Sequence, residues 1–190
     1  MVNFSLAVRR TFKNANGEYD TDFIKRERKE QKMEIIFTIP GRPQGKARPR
    51  AVRKNGGVYM YTPLKTQAYE ESVKEAFQEE AYKQHLLKIF PLEEEQPVFI
   101  KITAAYKIPA VAAKSKKLRM LCGKLLPTKK PDCDNISKII CDALNKVAYR
   151  DDKQIVRLTV SKIYTYGEPY VRVRLTQVLT EQEKADGASN

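Results

Sequence analysis

Short segments in which apolar and polar residues alternate recur beyond residue 32, and they constrain the fold more than any other feature. Alternation over 34–39, 98–106, 154–164 and 170–177 is typical of β-strands that bury one face. Asn55-Gly56-Gly57 favours a tight turn, so we expect a hairpin within 41–61. The core must therefore be built on a β-sheet.

Two longer segments follow the helical period. In residues 63–87, Tyr69, Val73 and Phe77 fall on one face of a predicted helix, and a second helix is predicted over about 135–148. The resulting order is strand, hairpin, helix, strand, helix, strand, strand. It predicts an α/β (α+β) domain in which one mixed β-sheet packs against two main helices.

The chain divides into three parts by composition. Its 190 residues suffice for one domain with extensions. Residues 1–32 include a charged run and little material for a core, so we interpret them as an N-terminal extension of unknown role. Residues 33–179 form the predicted domain, and residues 180–190 form a polar tail.

A surplus of positive charge narrows the choice of partner. The chain has 36 Lys and Arg against 23 Asp and Glu, which gives a net charge of +13. Such a surplus attracts nucleic acids or acidic membrane surfaces, although some soluble proteins are merely basic. No apolar run approaches the ~20 residues that span a bilayer, so no membrane association is expected.

Cysteine and histidine are too few for a structural zinc site. The three cysteines include no CxxC pair, and His85 is the one histidine. No apolar segment suited to a secretory signal follows the N-terminus. We therefore expect a reduced, cytoplasmic protein.

The segment 129–156, KKPDCDNISKIICDALNKVAYRDDKQIV, carries the acids that point to chemistry. Asp132 and Asp134 lie two residues apart where the second helix begins, so their side chains point the same way in an extended segment. Lys138 lies about one helical turn beyond Asp134. If the next strand packs antiparallel beside the helix, Asp152 comes near the first pair.

Clustered carboxylates repel each other, and a bound cation would offset this repulsion. Two carboxylates ~4 Å apart cost about 4 kcal/mol at an effective dielectric near 20, unless a cation or a shifted pKa relieves them. Magnesium prefers oxygen ligands, and it can hold a phosphate and activate water. The acids therefore predict a Mg²⁺ site for phosphodiester hydrolysis, in which Lys138 can stabilise the transition state.

Simpler roles stay open for each acid taken alone. Asp132 or Asp134 can cap a helix N-terminus. The pair Asp151-Asp152 can be a solvated turn. Asp142 lies within the helix, where it can pair with Lys138 or Lys146, and it is left out of the catalytic set.

The pattern K-P-D-x-D-N-x-x-K-x-x-x-D-A-L-N, followed by Y-x-D-D-x-Q-I, resembles the signature of the RusA family of Holliday junction resolvases. It covers 129–155, and a weaker likeness extends over about 33–178. The resemblance implies a RusA-like homodimer that makes paired nicks in four-way DNA junctions with magnesium. It also implies three catalytic, metal-binding acids and one catalytic lysine, namely Asp132, Asp134, Asp152 and Lys138.

Two basic regions, 46–54 and 114–130, are the expected contacts to DNA phosphates. The DNA-binding residues predicted from them are Lys46, Arg48, Arg50, Arg53, Lys129 and Lys130. Tyr59 and Tyr61 can stack on an unpaired base at a junction, or they can be ordinary strand residues. A C2 dimer would match the near two-fold symmetry of a four-way junction.

The predicted function is thus a crossover junction endodeoxyribonuclease that resolves Holliday junctions during DNA recombination and repair. Two alternatives use the same features. One is a different structure-specific, metal-dependent nuclease, such as a flap endonuclease. The other is a junction-binding protein without catalysis, which the acids disfavour because negative charge near phosphates weakens simple DNA binding.

Overall fold

The computed structural model describes residues 33–54 and 56–178. The predicted N-terminal extension and polar tail lie outside the described residues, so their assignment stays a prediction. Within the described part, the element order follows the one expected from the sequence, with one added helix.

A four-stranded mixed sheet forms the centre of the fold. Its strands β1, β4, β5 and β6 span Glu34–Pro40, Val98–Lys107, Ile155–Thr165 and Tyr170–Gln177. The order is β1-β6-β4-β5, in which β4 and β5 are parallel and the other neighbours are antiparallel. The predicted hairpin forms a separate two-stranded sheet of β2 and β3, Arg50–Lys54 and Gly57–Tyr61. The mixed α/β prediction is confirmed.

Among the described residues, three helices span Leu64–Lys83 (α1), Lys114–Leu121 (α2) and Cys133–Leu144 (α3). The helix α2 was not predicted, because it buries only Met120 and so lacks an apolar stripe. The helix α3 ends four residues earlier than expected, since Asn145 is extended and Lys146 has a φ of 64°.

The main core lies between the sheet and the helices α1 and α3, which pack against each other. The helix α3 contributes Ile136, Ile139, Ile140 and Leu144, each 0% exposed. Fully burying such a side chain stabilises the fold by roughly 1.5–3 kcal/mol. The start of α3, which carries Asp132 and Asp134, therefore belongs to a well-packed helix.

Candidate active site

Two exposed acids mark the start of α3. Asp132 occupies the N-cap position with φ −76° and ψ 159°, and Asp134 lies in the first turn. The Asp132 carboxylate makes no capping hydrogen bond to the helix. The capping alternative therefore does not account for Asp132, and its carboxylate oxygens remain available to another ligand.

The neighbouring acids have partners, whereas the predicted catalytic groups on α3 do not. Asp142 pairs with Lys46 at 2.8 Å, and Glu70 pairs with the same ammonium. Within the part of the chain that the structure describes, no hydrogen bond or ion pair engages the carboxylates of Asp132 and Asp134 or the ammonium of Lys138. The carboxylates of Asp132 and Asp134 are exposed, so their oxygens are open to a ligand.

Asp151 and Asp152 play different parts in the turn before β5. Asp151 caps the 3₁₀ turn Asp152–Gln154 by accepting the backbone N–H of Lys153 at 2.9 Å. This hydrogen bond lowers the pKa of Asp151 from its usual value. Asp152 is exposed. Of the two adjacent acids, Asp151 is the structural one, and Asp152 is the better candidate for chemistry.

Buried Gln154 ties this turn to the rest of the fold. Its amide oxygen accepts the backbone N–H groups of Arg150 and Asp151, at 2.9 and 3.0 Å. Its amide nitrogen donates to the carbonyl oxygens of Glu93 and Gln96, at 2.6 and 3.1 Å. The glutamine of the D-D-x-Q-I pattern thus fixes where Asp152 lies.

The three predicted acids are not gathered into one group. Among residues 33–54 and 56–178, no three His, Cys, Asp or Glu side chains lie close enough together to hold a metal ion. Asp152 lies instead nearer the last turn of α3, around Cys141. Burial raises the pKa of the Cys141 thiol to about 11, and the nearby carboxylates of Asp142 and Asp152 add to that shift. Position 141 lies about 10 Å along the helix axis from position 134.

The loop before β2 is fastened across the start of α3. The backbone N–H of Lys46 donates to the carbonyl oxygen of Asn135 at 3.0 Å. A Cβ atom on Gly45 would lie 2.9 Å from the Cβ atoms of both Asn135 and Pro131, so only glycine permits this close approach. The loop and the acid-bearing turn therefore form one surface.

Lys46 was expected to contact DNA, but its ammonium faces inward. It lies between Glu70 of α1 and Asp142 of α3. Burial tends to lower the pKa of Lys46, but the hydrogen bonds and charges of the two acids outweigh burial and raise it. The sequence suggested Lys138 or Lys146 as the partner of Asp142, but Asp142 pairs with Lys46.

A cleft of about 460 Å³ lies between this loop and the start of α3. Three further basic side chains line it, those of Arg48, Lys65 and Lys130, and Asp132 stands at its wall. We call it the first cleft. Lys65 had not been predicted, because nothing in the sequence around the start of α1 links it to the acids. The first cleft places cations and an unpaired carboxylate around one space.

The segment that leads into α3 is held from the strand β5. The ammonium of Lys162 donates to the carbonyl oxygens of Lys129 and Pro131, the latter at 3.1 Å. The Lys129 ammonium lies 5.1 Å from the centroid of the Tyr106 ring. Lys162 is another residue that sequence reasoning missed, since its role depends on contacts between distant segments.

The hairpin β2–β3 carries the other residues predicted to bind DNA. Arg50 lies opposite Tyr61 and Arg53 lies opposite Val58, so the two arginines point to opposite faces of the ribbon. Tyr59 and Tyr61 are 57% and 45% exposed, so neither is an ordinary buried strand residue. The hairpin therefore presents Arg50, Tyr59 and Tyr61 on one face and Arg53 on the other.

The arrangement joins unpaired carboxylates to a basic cleft, and the sequence has matching relatives. It matches the family model described as endodeoxyribonuclease RusA over residues 40–176. The chain belongs to the RusA endodeoxyribonuclease family. One relative, the uncharacterized protein YqaN of Bacillus subtilis (strain 168), is 35% identical over 144 residues, which make up 76% of this chain and 96% of that protein.

Membership identifies this RusA-family protein as an endodeoxyribonuclease, a hydrolase that acts on DNA. The matched range contains every residue predicted for catalysis and for DNA binding. None of the helices in the described residues is both long and apolar enough to cross a membrane.

Proposed function

We propose that this protein resolves Holliday junctions by paired symmetric nicks, with Mg²⁺, during DNA recombination and repair. The observation that carries the proposal is the exposed acid pair Asp132 and Asp134 at the start of α3, of which Asp132 lines a basic cleft. A surface that only binds DNA gains nothing from two unpaired carboxylates beside its cations. Hydrolysis of a phosphodiester, by contrast, uses both kinds of charge.

The donor set fits a magnesium ion better than any softer metal. Carboxylate oxygens are hard ligands, and Mg²⁺ is commonly held by one or two carboxylates together with water and substrate phosphates. Asp132 and Asp134 would hold the ion. Asp152, the third predicted acid, is not gathered with them among the described residues, so it is left out of the proposed ligand pair. When bound, Mg²⁺ would activate a water and offset charge on the phosphate.

The remaining side chains have separable roles in the proposed reaction. Arg48, Lys65 and Lys130 would position the DNA strand in the first cleft through charge-assisted hydrogen bonds to its phosphates. Lys138, exposed on α3, would stabilise the negative charge that develops on the phosphate under attack. Lys46 would hold the loop in place without contacting DNA, because Glu70 and Asp142 already surround its ammonium.

Paired nicks require two active sites in one complex. A four-way junction has near two-fold symmetry, and a homodimer with C2 symmetry would present one site to each opposed strand. We therefore propose that the active species is a homodimer. Analytical ultracentrifugation of the protein with one junction equivalent should give two chains per junction.

The test is cleavage of a synthetic mobile four-way junction, with flap and linear duplex substrates beside it. We expect symmetric nicks in the junction with magnesium and none with a chelator. Asp134→Asn should lower the cleavage rate by roughly 10²-fold or more, while the junction affinity measured without metal is retained. Equal cleavage of flaps or duplex would favour another structure-specific nuclease. Binding without any metal-dependent cleavage would favour a non-catalytic junction-binding protein.

A further inference from the structure

A second cleft, of about 240 Å³, lies beside the first and is not explained by the acids. Four basic residues line it, namely Arg42, Lys107, Lys129 and Lys130. No acidic side chain of the described residues is part of its lining, although Glu168 pairs with Lys107 from outside. The cleft is therefore electropositive, even after one of its four cations is neutralised.

The four cations come from distant parts of the chain. Arg42 follows β1, Lys107 ends β4, and Lys129 and Lys130 precede α3. Bringing like charges together costs free energy unless an anion or another partner offsets it. Their convergence on one cleft is thus the feature to explain.

The Tyr106 ring in the wall of the second cleft lies beside one of its cations, Lys129. Tyr106 is 6% exposed, and the ammonium of Lys129 lies 5.1 Å from its ring centroid. Burial raises the pKa of Tyr106 to about 12, with smaller contributions from Cys133 and Asp132. The phenol therefore stays neutral near pH 7 and adds no negative charge to the cleft.

The two clefts share Pro43 and Lys130. A chain of phosphates that passes Asp132 in the first cleft can therefore reach the second cleft across Lys130. The volume of the second cleft equals that of about eight water molecules at ~30 Å³ each, which suits a phosphate group with some of its waters.

We propose that the second cleft binds the backbone phosphate that neighbours the scissile one in the DNA strand, through Arg42 and Lys129, with Lys130 between the two phosphates. The proposal rests on the proposed nuclease function, because it takes the scissile phosphate to lie at Asp132. It assigns Arg42, which lies outside both of the basic regions identified in the sequence, to the DNA interface.

The experiment combines protein variants with DNA in which single phosphates are neutral methylphosphonates. Junction affinity is measured without metal for wild type, Arg42→Gln, Lys129→Gln and the control Arg174→Gln. Arg174 lies on β6 and pairs with Glu34, away from both clefts. In wild type, neutralising one phosphate beside the cleavage position should lower affinity about tenfold, as for the loss of one charge-assisted hydrogen bond.

Arg42→Gln or Lys129→Gln should lose about the same affinity and should no longer respond to that one methylphosphonate. Arg174→Gln should respond as wild type does. The proposal is supported if either variant no longer responds to one particular methylphosphonate but still responds to the others. Additive losses at every phosphate, for both variants, overturn it. So does saturable binding of inorganic phosphate with no change in junction affinity for either variant, which would indicate a site for a free anion.

Failure here is distinguishable from failure of the proposed function. The affinity measurements need no cleavage. Even for a protein that cleaves nothing, they can show that a substitution at Arg42 or Lys129 removes the effect of one methylphosphonate. Conversely, the protein can cleave junctions while neither substitution removes the effect of a single methylphosphonate. That result keeps the proposed function and rejects only the second phosphate site.

Discussion

At the scale of single residues, two aspartates in similar sequence settings have different roles. Asp132 and Asp151 both occupy N-cap positions. Asp151 accepts a backbone N–H, whereas Asp132 makes no capping hydrogen bond. Because no capping hydrogen bond occupies it, the Asp132 carboxylate is free to bind a ligand.

This difference in hydrogen bonding predicts that only one of the two alanine variants loses stability. Asp132→Ala should change the free energy of unfolding by no more than about 0.5 kcal/mol, as for an exposed side chain without partners. Asp151→Ala should lower the midpoint of urea unfolding, because Lys153 loses its hydrogen-bond acceptor. Urea unfolding of both variants beside wild type measures this. A clear loss of stability in Asp132→Ala would restore the capping explanation.

At the scale of elements, the loop at 41–49 depends on its fit against α3. Gly45 permits the approach, and Lys46 fastens the loop through both its backbone and its ammonium. The first cleft exists because these two surfaces meet. Changes in the fit should therefore alter DNA cleavage more than they alter the core.

Gly45→Ala tests that fit. The added Cβ would lie 2.9 Å from Asn135 and Pro131, so the loop must move away from the acids. We expect junction cleavage to fall by roughly tenfold or more, since small displacements at an active site are costly. Gly167→Ala is the matched control, because its Cβ would meet only the Thr165 hydroxyl, at 3.9 Å. Circular dichroism should find both variants folded, and equal cleavage rates would contradict the prediction.

The salt dependence of junction binding separates the loop's cations by role. Arg48→Ala should make the slope of log K against log salt shallower by about one unit, as one phosphate contact is lost. Lys46→Met should leave that slope unchanged, but it should lower the stability by about 1–2 kcal/mol, between the values for exposed and buried ion pairs. A shallower slope for Lys46→Met would mean that its ammonium turns toward DNA in the complex.

The strands and the two long helices were predictable because alternation and helical period are local signals. The helix α2 was not, since a helix that buries one residue leaves no such signal. The hairpin β2–β3 was predicted, but its separation from the four-stranded sheet was not. Which strands share a sheet depends on pairing between distant segments, and no local pattern records it.

In the candidate site, too, only the residues placed by local sequence were predictable. Asp132 and Asp134 share a turn because their separation is local. The position of Asp152 depends on how Gln154 is tied to the carbonyl groups before β4. Lys46 looks like its basic neighbours in the sequence, and only Glu70 and Asp142, far along the chain, distinguish it.

At the scale of the whole molecule, one continuous hydrophobic core lies within the described residues. The buried cluster runs from Ile35 to Leu175, and the family match covers 40–176. We propose that the first 32 residues are dispensable for folding and cleavage. A chain that begins at Met33 should melt cooperatively and cleave junctions at the full-length rate. An insoluble or inactive truncation would assign those residues to the working fold.

Magnesium should act on global stability through the acid pair. An ion that binds only the folded protein stabilises it by mass action, by about 2.7 kcal/mol at 100 times the dissociation constant. Wild type should therefore melt at a higher temperature with magnesium. Asp132→Asn or Asp134→Asn should gain much less, because each removes one of the two proposed ligands.

Without magnesium, the same two variants should be neutral or slightly stabilised, because one of two neighbouring negative charges is gone and no capping hydrogen bond is lost. Asp151→Asn is the control: it lies outside the proposed ligand set, so it should keep the full magnesium shift. Thermal melts of the four proteins, with magnesium and with a chelator, measure both effects. If magnesium raises all four melting temperatures equally, the ion binds elsewhere, and Asp132 and Asp134 need another explanation for their lack of partners.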